Sequence, residues 1–126
     1  MDEYDGWAIA TSPDGIRAYG HLDPAVRIMA WVKPNAQPGS HRLRSCWEPV
    51  LLFPPASRRS NRGGVGQVAD TLVCNAPRVG FVGAKPPEWT RWVLDALTYD
   101  PTVDRVDDLF SGSGSVSAAI AQGVLL

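Results

Sequence analysis

A glycine-rich segment late in the chain is where residue type and spacing first suggest chemistry. Residues 106–110 are expected to form a strand, residues 111–115 read Ser-Gly-Ser-Gly-Ser, and residues 116–122 are expected to begin a helix. Glycines let the backbone approach a ligand closely, and the free N–H groups of a helix N-terminus attract anionic groups. The pattern therefore indicates either a site for a nucleotide-like ligand or an ordinary strand–helix turn.

Two better-known phosphate motifs do not fit this segment. Ser117 stands where the dinucleotide fingerprint has its third glycine. The lysine that follows the glycines of a P-loop is also missing.

The residues around these glycines carry a family resemblance. From Asp108 to Gly114 the chain reads Asp-Leu-Phe-Ser-Gly-Ser-Gly. This string resembles Asp-Pro-Phe-x-Gly-Ser-Gly, the motif with which amino-methylating DNA methyltransferases bind S-adenosyl-L-methionine (AdoMet), with Leu109 in place of the proline. The resemblance implies that the glycines lie against the methionine part of AdoMet. It also implies that Phe110 walls the pocket and that Asp108 shapes it from the end of a strand.

A Lys-Pro pair extends the resemblance upstream. In members of the family with a circularly permuted motif order, such a pair opens a helix ahead of the glycine loop. Here Lys85 and Pro86 lie 27 and 26 residues before Gly112, and a helix is expected over residues 87–97. Alone, the pair is equally typical of any helix N-terminus. The resemblance spans about residues 5–122 and points to DNA methylases of phages and their bacterial hosts. The implied cofactor-binding residues are Lys85, Pro86, Asp108, Phe110, Ser111, Gly112, Ser113 and Gly114.

No residue of the chain is assigned a catalytic role. The family's catalytic motif is (Asp/Asn/Ser)-Pro-Pro-(Tyr/Phe/Trp), whose polar residue accepts hydrogen bonds from the target amino group and whose aromatic residue stacks on the flipped base. The Pro-Pro pairs at residues 54–55 and 86–87 have the wrong flanking residues. The permuted order would place the motif ahead of Met1. We therefore expect residues 1–126 to form a single, partial methyltransferase domain, similar to the C-terminal part of such an enzyme.

The resemblance implies AdoMet-dependent methylation of double-stranded DNA, at adenine N6 or cytosine N4. Whether the chain is an enzyme on its own stays open, because the catalytic motif is missing. One alternative is a non-catalytic AdoMet- or DNA-binding module, and another is a remnant without a ligand. A partial sheet would have an unpaired edge, and a partner chain would supply the missing strands there.

Charge is distributed unevenly, although the formal net charge is only −1. Residues 33–78 hold seven basic and two acidic residues, whereas both flanking segments carry a net charge of −3. Residues 54–67 are expected to form a mobile basic loop, because they are irregular and rich in arginine. This basic middle indicates either DNA-phosphate contacts or a solvated surface loop. The predicted DNA-contacting residues are Lys33, Arg58, Arg59 and Arg62.

Apolar patterning predicts the elements that must position these residues. Strands are expected at residues 7–11, 26–32, 47–53, 68–74 and 106–110, and a short helix at residues 13–19. Pro49 favours an edge position, or the first rungs of its strand. Trp89, Trp92, Val93 and Leu97 recur at helical spacing and are interpreted as core residues. The predicted class is α/β, and the resemblance implies a partial Rossmann-like methyltransferase sheet with an antiparallel terminal hairpin.

Composition excludes several other classes of protein. With 44% hydrophobic and 20% charged residues, the sequence is typical of a globular protein and not of a disordered or fibrous one. No apolar run is long enough to span a bilayer, and the acidic N-terminus does not resemble a secretory signal. Cys46 and Cys74 are far apart and His21 and His41 are isolated, so neither a metal site nor a disulfide framework is expected. The predicted location is the cytoplasm.

Overall fold

Four strands and one helix make up the regular structure of the computed structural model, which describes residues 4–60, 66–78 and 85–108. The chain forms a small domain with a mixed sheet and one α-helix in these residues. The strands are β1 (Trp7–Ala10), β2 (Arg27–Val32), β3 (Trp47–Phe53) and β4 (Thr71–Val73), and the helix is α1 (Pro87–Ala96). All five lie within predicted segments, with ends shifted by up to three residues.

The sheet has the strand order β1-β3-β2-β4. β3 is antiparallel to both of its neighbours, and β2 is parallel to β4. The expected antiparallel pairing of β2 with β3 is confirmed, with Met29 opposite Val50 and Trp31 opposite Glu48. Its expected position at the end of the sheet is wrong, because β1 and β4 flank the pair in the described residues. Three strands run in one direction and β3 alone runs in the other.

Pro49 lies in an interior strand, so the predicted edge position is wrong, whereas the predicted position in the first rungs of its strand is confirmed. Pro49 is the third residue of β3, which pairs on both sides. Thr11, just beyond β1, donates its N–H to the Pro49 carbonyl over 3.1 Å. Proline has no N–H to return this bond, so only one rung is lost, at the end of the β1–β3 ladder.

The core lies between one face of the sheet and α1. Buried side chains from β2, β3 and α1 form one cluster: Met29, Trp31, Val50, Leu52, Trp89, Trp92 and Val93. The helix begins at Pro87, where a proline sacrifices no helical hydrogen bond, and the three aromatic and aliphatic core residues of α1 follow at helical spacing. The predicted core stripe is confirmed, with Leu97 partly buried against the same cluster.

Two predicted elements differ in the structure. Residues 106–108 form no strand, and the remainder of that predicted strand lies outside the described residues. Asp107 and Asp108 account for the difference, because aspartate is disfavoured in strands and two of them follow each other here. The short helix expected over residues 13–19 is a 3₁₀ helix at Gly15–Tyr19, with Gly15 close to the side chains of Thr11 and Ser12.

Within the described ranges, every helix is too short or too polar to cross a membrane.

Candidate functional site

Two lysines from different predicted sites converge on one carboxylate. Lys33 Nζ lies 3.1 Å from Glu48 Oε2, and Lys85 Nζ lies 3.5 Å from Glu48 Oε1. β2 brings in Lys33, β3 brings in Glu48, and Lys85 immediately precedes the proline pair that opens α1. The structure thus joins a predicted DNA-contacting residue to a predicted cofactor-binding residue.

Two tryptophans form the apolar side of this arrangement. Lys33 Nζ lies 5.5 Å and Lys85 Nζ 5.2 Å from the ring centroid of Trp31, and Lys85 Nζ also lies 5.6 Å from the ring centroid of Trp89. Trp31 is only 1% exposed. An ammonium group over an indole face is attracted by the ring electrons, more so where water is excluded. We call Trp31, Lys33, Glu48, Lys85 and Trp89 the lysine–tryptophan cluster.

The lysine–tryptophan cluster is suited to binding anions and not to nucleophilic chemistry. Two ammonium groups share one carboxylate, so the cluster carries a net positive charge. The nearby thiol of Cys74 lies 3.8 Å from Glu88 Oε2. Burial, the Glu88 charge and this hydrogen bond raise the pKa of Cys74, which keeps the thiol protonated and weakly nucleophilic. No group of three or more His, Cys, Asp or Glu side chains in the described ranges could hold a metal ion.

Arg58, predicted to contact DNA, is held by the protein itself. Its Nη1 lies 2.6 Å from Asp104 Oδ2 and its Nη2 lies 3.2 Å from Asp104 Oδ1. The same Nη1 donates to the carbonyl of Thr98 over 3.0 Å, just beyond the end of α1. Thr98 has a left-handed backbone with φ of 58°, which is costly for a β-branched residue. Arg58 therefore fastens the chain that follows α1.

Arg59 is also engaged within the chain. Its Nε donates to the Pro54 carbonyl over 2.9 Å, and its guanidinium lies 4.6 Å from the ring centroid of Phe53. Residues 56–58 form a single 3₁₀ turn, so the described start of the basic loop has defined structure. The predicted mobility of residues 54–67 stays a prediction, because residues 61–65, including Arg62, lie outside the described residues.

The predicted DNA-contacting residues lie at opposite ends of the β2–β3 pair. Lys33 follows β2 at the end where β3 begins, whereas Arg58 and Arg59 follow the other end of β3. A seven-residue strand separates the two ends by about 20 Å. Lys33 therefore lies apart from Arg58 and Arg59, and these predicted DNA-contacting residues do not form one continuous patch.

Stability in acid should depend on the Arg58–Asp104 pair. The hydrogen bonds from Arg58 and from the Asp100 N–H, together with the Arg58 charge, lower the pKa of Asp104. A carboxyl with a lowered folded-state pKa stabilises the fold above its unfolded pKa of about 4, and this stabilisation is lost as pH falls through the folded pKa.

Asp104→Asn should therefore lower the melting temperature at pH 7 and flatten its decline below pH 5. Thermal unfolding followed by circular dichroism between pH 2 and pH 7 measures both effects. Asp14→Asn is the control, because Asp14 is exposed and makes no side-chain cap hydrogen bond. A decline as steep in Asp104→Asn as in the original chain would contradict the prediction.

Asp108 is the one residue of the predicted glycine-loop motif that lies within the described part of the chain. Its Oδ2 is buried and has no hydrogen-bond partner among the described residues. The preceding residue, Asp107, accepts a hydrogen bond from Tyr4 Oη over 3.3 Å, which holds this segment near the start of β1. Phe110, Ser111, Gly112, Ser113 and Gly114 lie outside the described residues.

Comparisons with protein-family models, with curated proteins and with solved structures gave no match for this chain.

Sequence reasoning missed the central residues of the lysine–tryptophan cluster. Glu48 and Trp31 are predicted only as members of strands. The available signal is the spacing of Trp31 and Lys33, which are two residues apart at the end of β2. Residues two apart in an extended chain have side chains on the same face. Glu48 joins them only through the β2–β3 register, which opposes Trp31 to Glu48.

Proposed function

We propose that this chain is the AdoMet-binding part of a DNA methyltransferase that acts on adenine N6 or cytosine N4. The observation that carries the proposal is the string Asp-Leu-Phe-Ser-Gly-Ser-Gly at residues 108–114, preceded by Lys85 and Pro86 in the permuted order. A glycine loop and a Lys-Pro pair are each weak signals when taken alone. Their combination in this order is what favours a methyltransferase.

Three features of the fold are compatible with a partial Rossmann-like sheet. Lys85 and Pro86 directly precede α1, as the resemblance requires. β2 and β3 form the antiparallel pair that the resemblance implies, although in the interior of the described sheet and not at its end. β1, β2 and β4 run in one direction and the helix packs on the sheet face, as in α/β domains.

The described residues offer a contact for one group of AdoMet, its carboxylate, although the ligand as a whole is a cation because it also carries an ammonium and a sulfonium. The lysine–tryptophan cluster is net positive and sits at the start of α1, where it suits that carboxylate. The unpaired Oδ2 of Asp108, next to the glycine loop, is an acceptor for a polar group of a ligand. AdoMet supplies the activated methyl group when it is bound. The residues proposed here bind and orient it.

DNA contact in this proposal comes from Lys33 at one end of the β2–β3 pair and from Arg58, Arg59 and Arg62 at the other. Duplex DNA carries closely spaced phosphates, so two basic positions about 20 Å apart can contact one backbone. Arg58 contributes less than a free arginine, because Asp104 already engages its guanidinium.

The catalytic motif in this proposal comes from outside the described sheet. β1 pairs with β3 on one side, and its other side pairs with no described strand. An edge strand with free N–H and C=O groups accepts a further strand. This edge favours the related proposal of an AdoMet-binding module whose partner chain completes the sheet and supplies the catalytic residues.

Calorimetric titration of the chain with AdoMet tests the cofactor site. Binding to a single saturable site is expected, and Gly114→Asp should weaken it at least a hundredfold, because an aspartate side chain there would block the close approach of the ligand to the backbone. AdoMet at 100 times its dissociation constant should also stabilise the fold by about 2.7 kcal/mol.

Gly39→Asp is the matched control, with the same change of charge. A Cβ at Gly39 meets no atom within 4 Å, so this variant should bind AdoMet as the original chain does. A folded chain that gives neither binding heat nor thermal stabilisation would overturn the proposal. Equal weakening by both variants would do the same.

A further inference from the structure

A polar cavity lies beside the lysine–tryptophan cluster. It has a volume of about 320 Å³ and opens between the loop that follows β2 and the loop that follows β4. β2 and β4 are parallel, so both loops leave the carboxyl ends of their strands. Ligands of α/β sheets commonly bind at such ends. The polar lining comes from Lys33, Asn35, Gln37, Ser45 and Arg78.

The two loops are fastened together by one side chain. Asn35 Nδ2 donates to the Ala76 carbonyl over 2.9 Å, and the Ala76 N–H donates to Asn35 Oδ1 over 2.8 Å. Lys33 N–H also donates to the Cys46 carbonyl over 2.7 Å, and Cys74 N–H to the Val32 carbonyl over 3.0 Å. These hydrogen bonds fix the distance between the loops before a ligand binds. They therefore lower the free-energy cost of ordering the loops around a ligand.

The charge of the cavity is positive. Lys33 and Arg78 line it, and no acidic side chain of residues 4–60, 66–78 and 85–108 does so. Arg78 forms no hydrogen bond or ion pair with the described residues, so its five N–H donors are available. Glu48 offsets Lys33 only in part, because it shares its carboxylate with Lys85.

We propose that this cavity binds a phosphate group. A guanidinium donates two parallel hydrogen bonds to phosphate oxygens, and an ammonium, a hydroxyl and a carboxamide N–H from Lys33, Ser45 and Gln37 complement the remaining oxygens. The cavity is larger than one phosphate, so it has room for an esterified group as well as the free anion. The proposal does not depend on AdoMet binding or on methyl transfer.

Two probes test the cavity and identify the source of the phosphate. ¹⁵N-labelled chain without AdoMet is titrated with inorganic phosphate and, separately, with a thymidine dinucleotide bearing a 5′-phosphate. Saturable shifts of the backbone amides of residues 35–37, Ala76 and Arg78 are expected. A dinucleotide that binds more tightly than inorganic phosphate identifies an ester, and equal affinities identify the free anion; both support the proposal.

Arg78→Ala should weaken the binding of the preferred probe at least about tenfold, as expected when a charged hydrogen-bond donor is lost. The matched control is Arg42→Ala, since Arg42 is exposed and does not line the cavity. Arg42→Ala changes the net charge by the same amount as Arg78→Ala. It should leave the affinity for the probe within about twofold of that of the original chain. Equal losses in the two variants, or no saturable shift at these amides in a folded sample, would overturn the proposal. Neither result bears on AdoMet binding, which is measured separately.

Discussion

Replacement of Trp31 by alanine is expected to lower the free energy of unfolding by about 3–5 kcal/mol. Trp31 is 1% exposed and packs in the core between the sheet and α1. Its Nε1 donates to the Cys74 carbonyl over 2.9 Å, which ties β2 to the chain just after β4. Alanine would leave a large cavity and would remove this donor.

Urea unfolding followed by tryptophan fluorescence and circular dichroism measures this loss. Trp47→Ala is the control, because Trp47 is 36% exposed and lies outside the core cluster. Trp47→Ala should lower the free energy of unfolding by about 1 kcal/mol or less. Similar losses in the two variants would show that the core does not depend on Trp31 as described.

Glu48→Ala is expected to lower the free energy of unfolding by about 1–3 kcal/mol. Lys33, Lys85 and Glu48 have side chains only 21%, 14% and 24% exposed, so the charges are partly removed from water. Without the carboxylate, two ammonium groups remain close together over Trp31 with no other ion-pair partner among the described residues. The loss should exceed that of a surface ion pair, which is usually about 1 kcal/mol at most.

A second substitution separates charge repulsion from lost packing. In the Glu48→Ala background, Lys33→Met should recover part of the stability, because it removes one of the two facing charges. Glu88→Ala is the control, since Glu88 is exposed and its contact is with Cys74. Urea unfolding at low and high salt measures each variant. No recovery in the double variant, together with no salt dependence, would contradict the electrostatic reason.

Apolar patterning predicts most of this fold because local sequence decides most of it. β1, β2 and β3 are short apolar runs bounded by polar or proline-rich segments, and α1 combines a proline start with a 3.6-residue apolar period. Residues 106–108 show the limit of this reasoning. Val106 begins an apolar pattern, but the two aspartates after it are poor strand formers.

The strand order and the arginine contacts lie beyond such reasoning. Pro49 suggests an edge strand or the first rungs of a strand, and only the second is confirmed: β3 is interior and tolerates Pro49 because the missing N–H falls where β1 has ended. Arg58 reads as a free surface cation, and its partner Asp104 is 46 residues away in the chain. Contacts at that separation depend on how the elements pack, which no local pattern encodes.

The two lysines of the candidate site were predictable from the sequence, but their arrangement around Glu48 and Trp31 was not. Lys33 and Lys85 are each recognisable, one from the basic middle of the chain and one from the Lys-Pro pair. Their meeting at Glu48 requires the β2–β3 register together with the position of α1 on the sheet. A register is set by many cross-strand contacts at once, so a single motif cannot reveal it.

The central place of β3 has a consequence for the chain during its synthesis on the ribosome. β1 and β2 are made first, but they are not neighbours in the sheet, because β3 lies between them. Neither β1 nor β2 can complete its antiparallel ladder until β3 has left the ribosome. At about 5–20 residues per second, the 21 residues from Val32 to Phe53 take roughly 1–4 s to make. During that interval both nascent apolar segments are available to chaperones or to neighbouring chains.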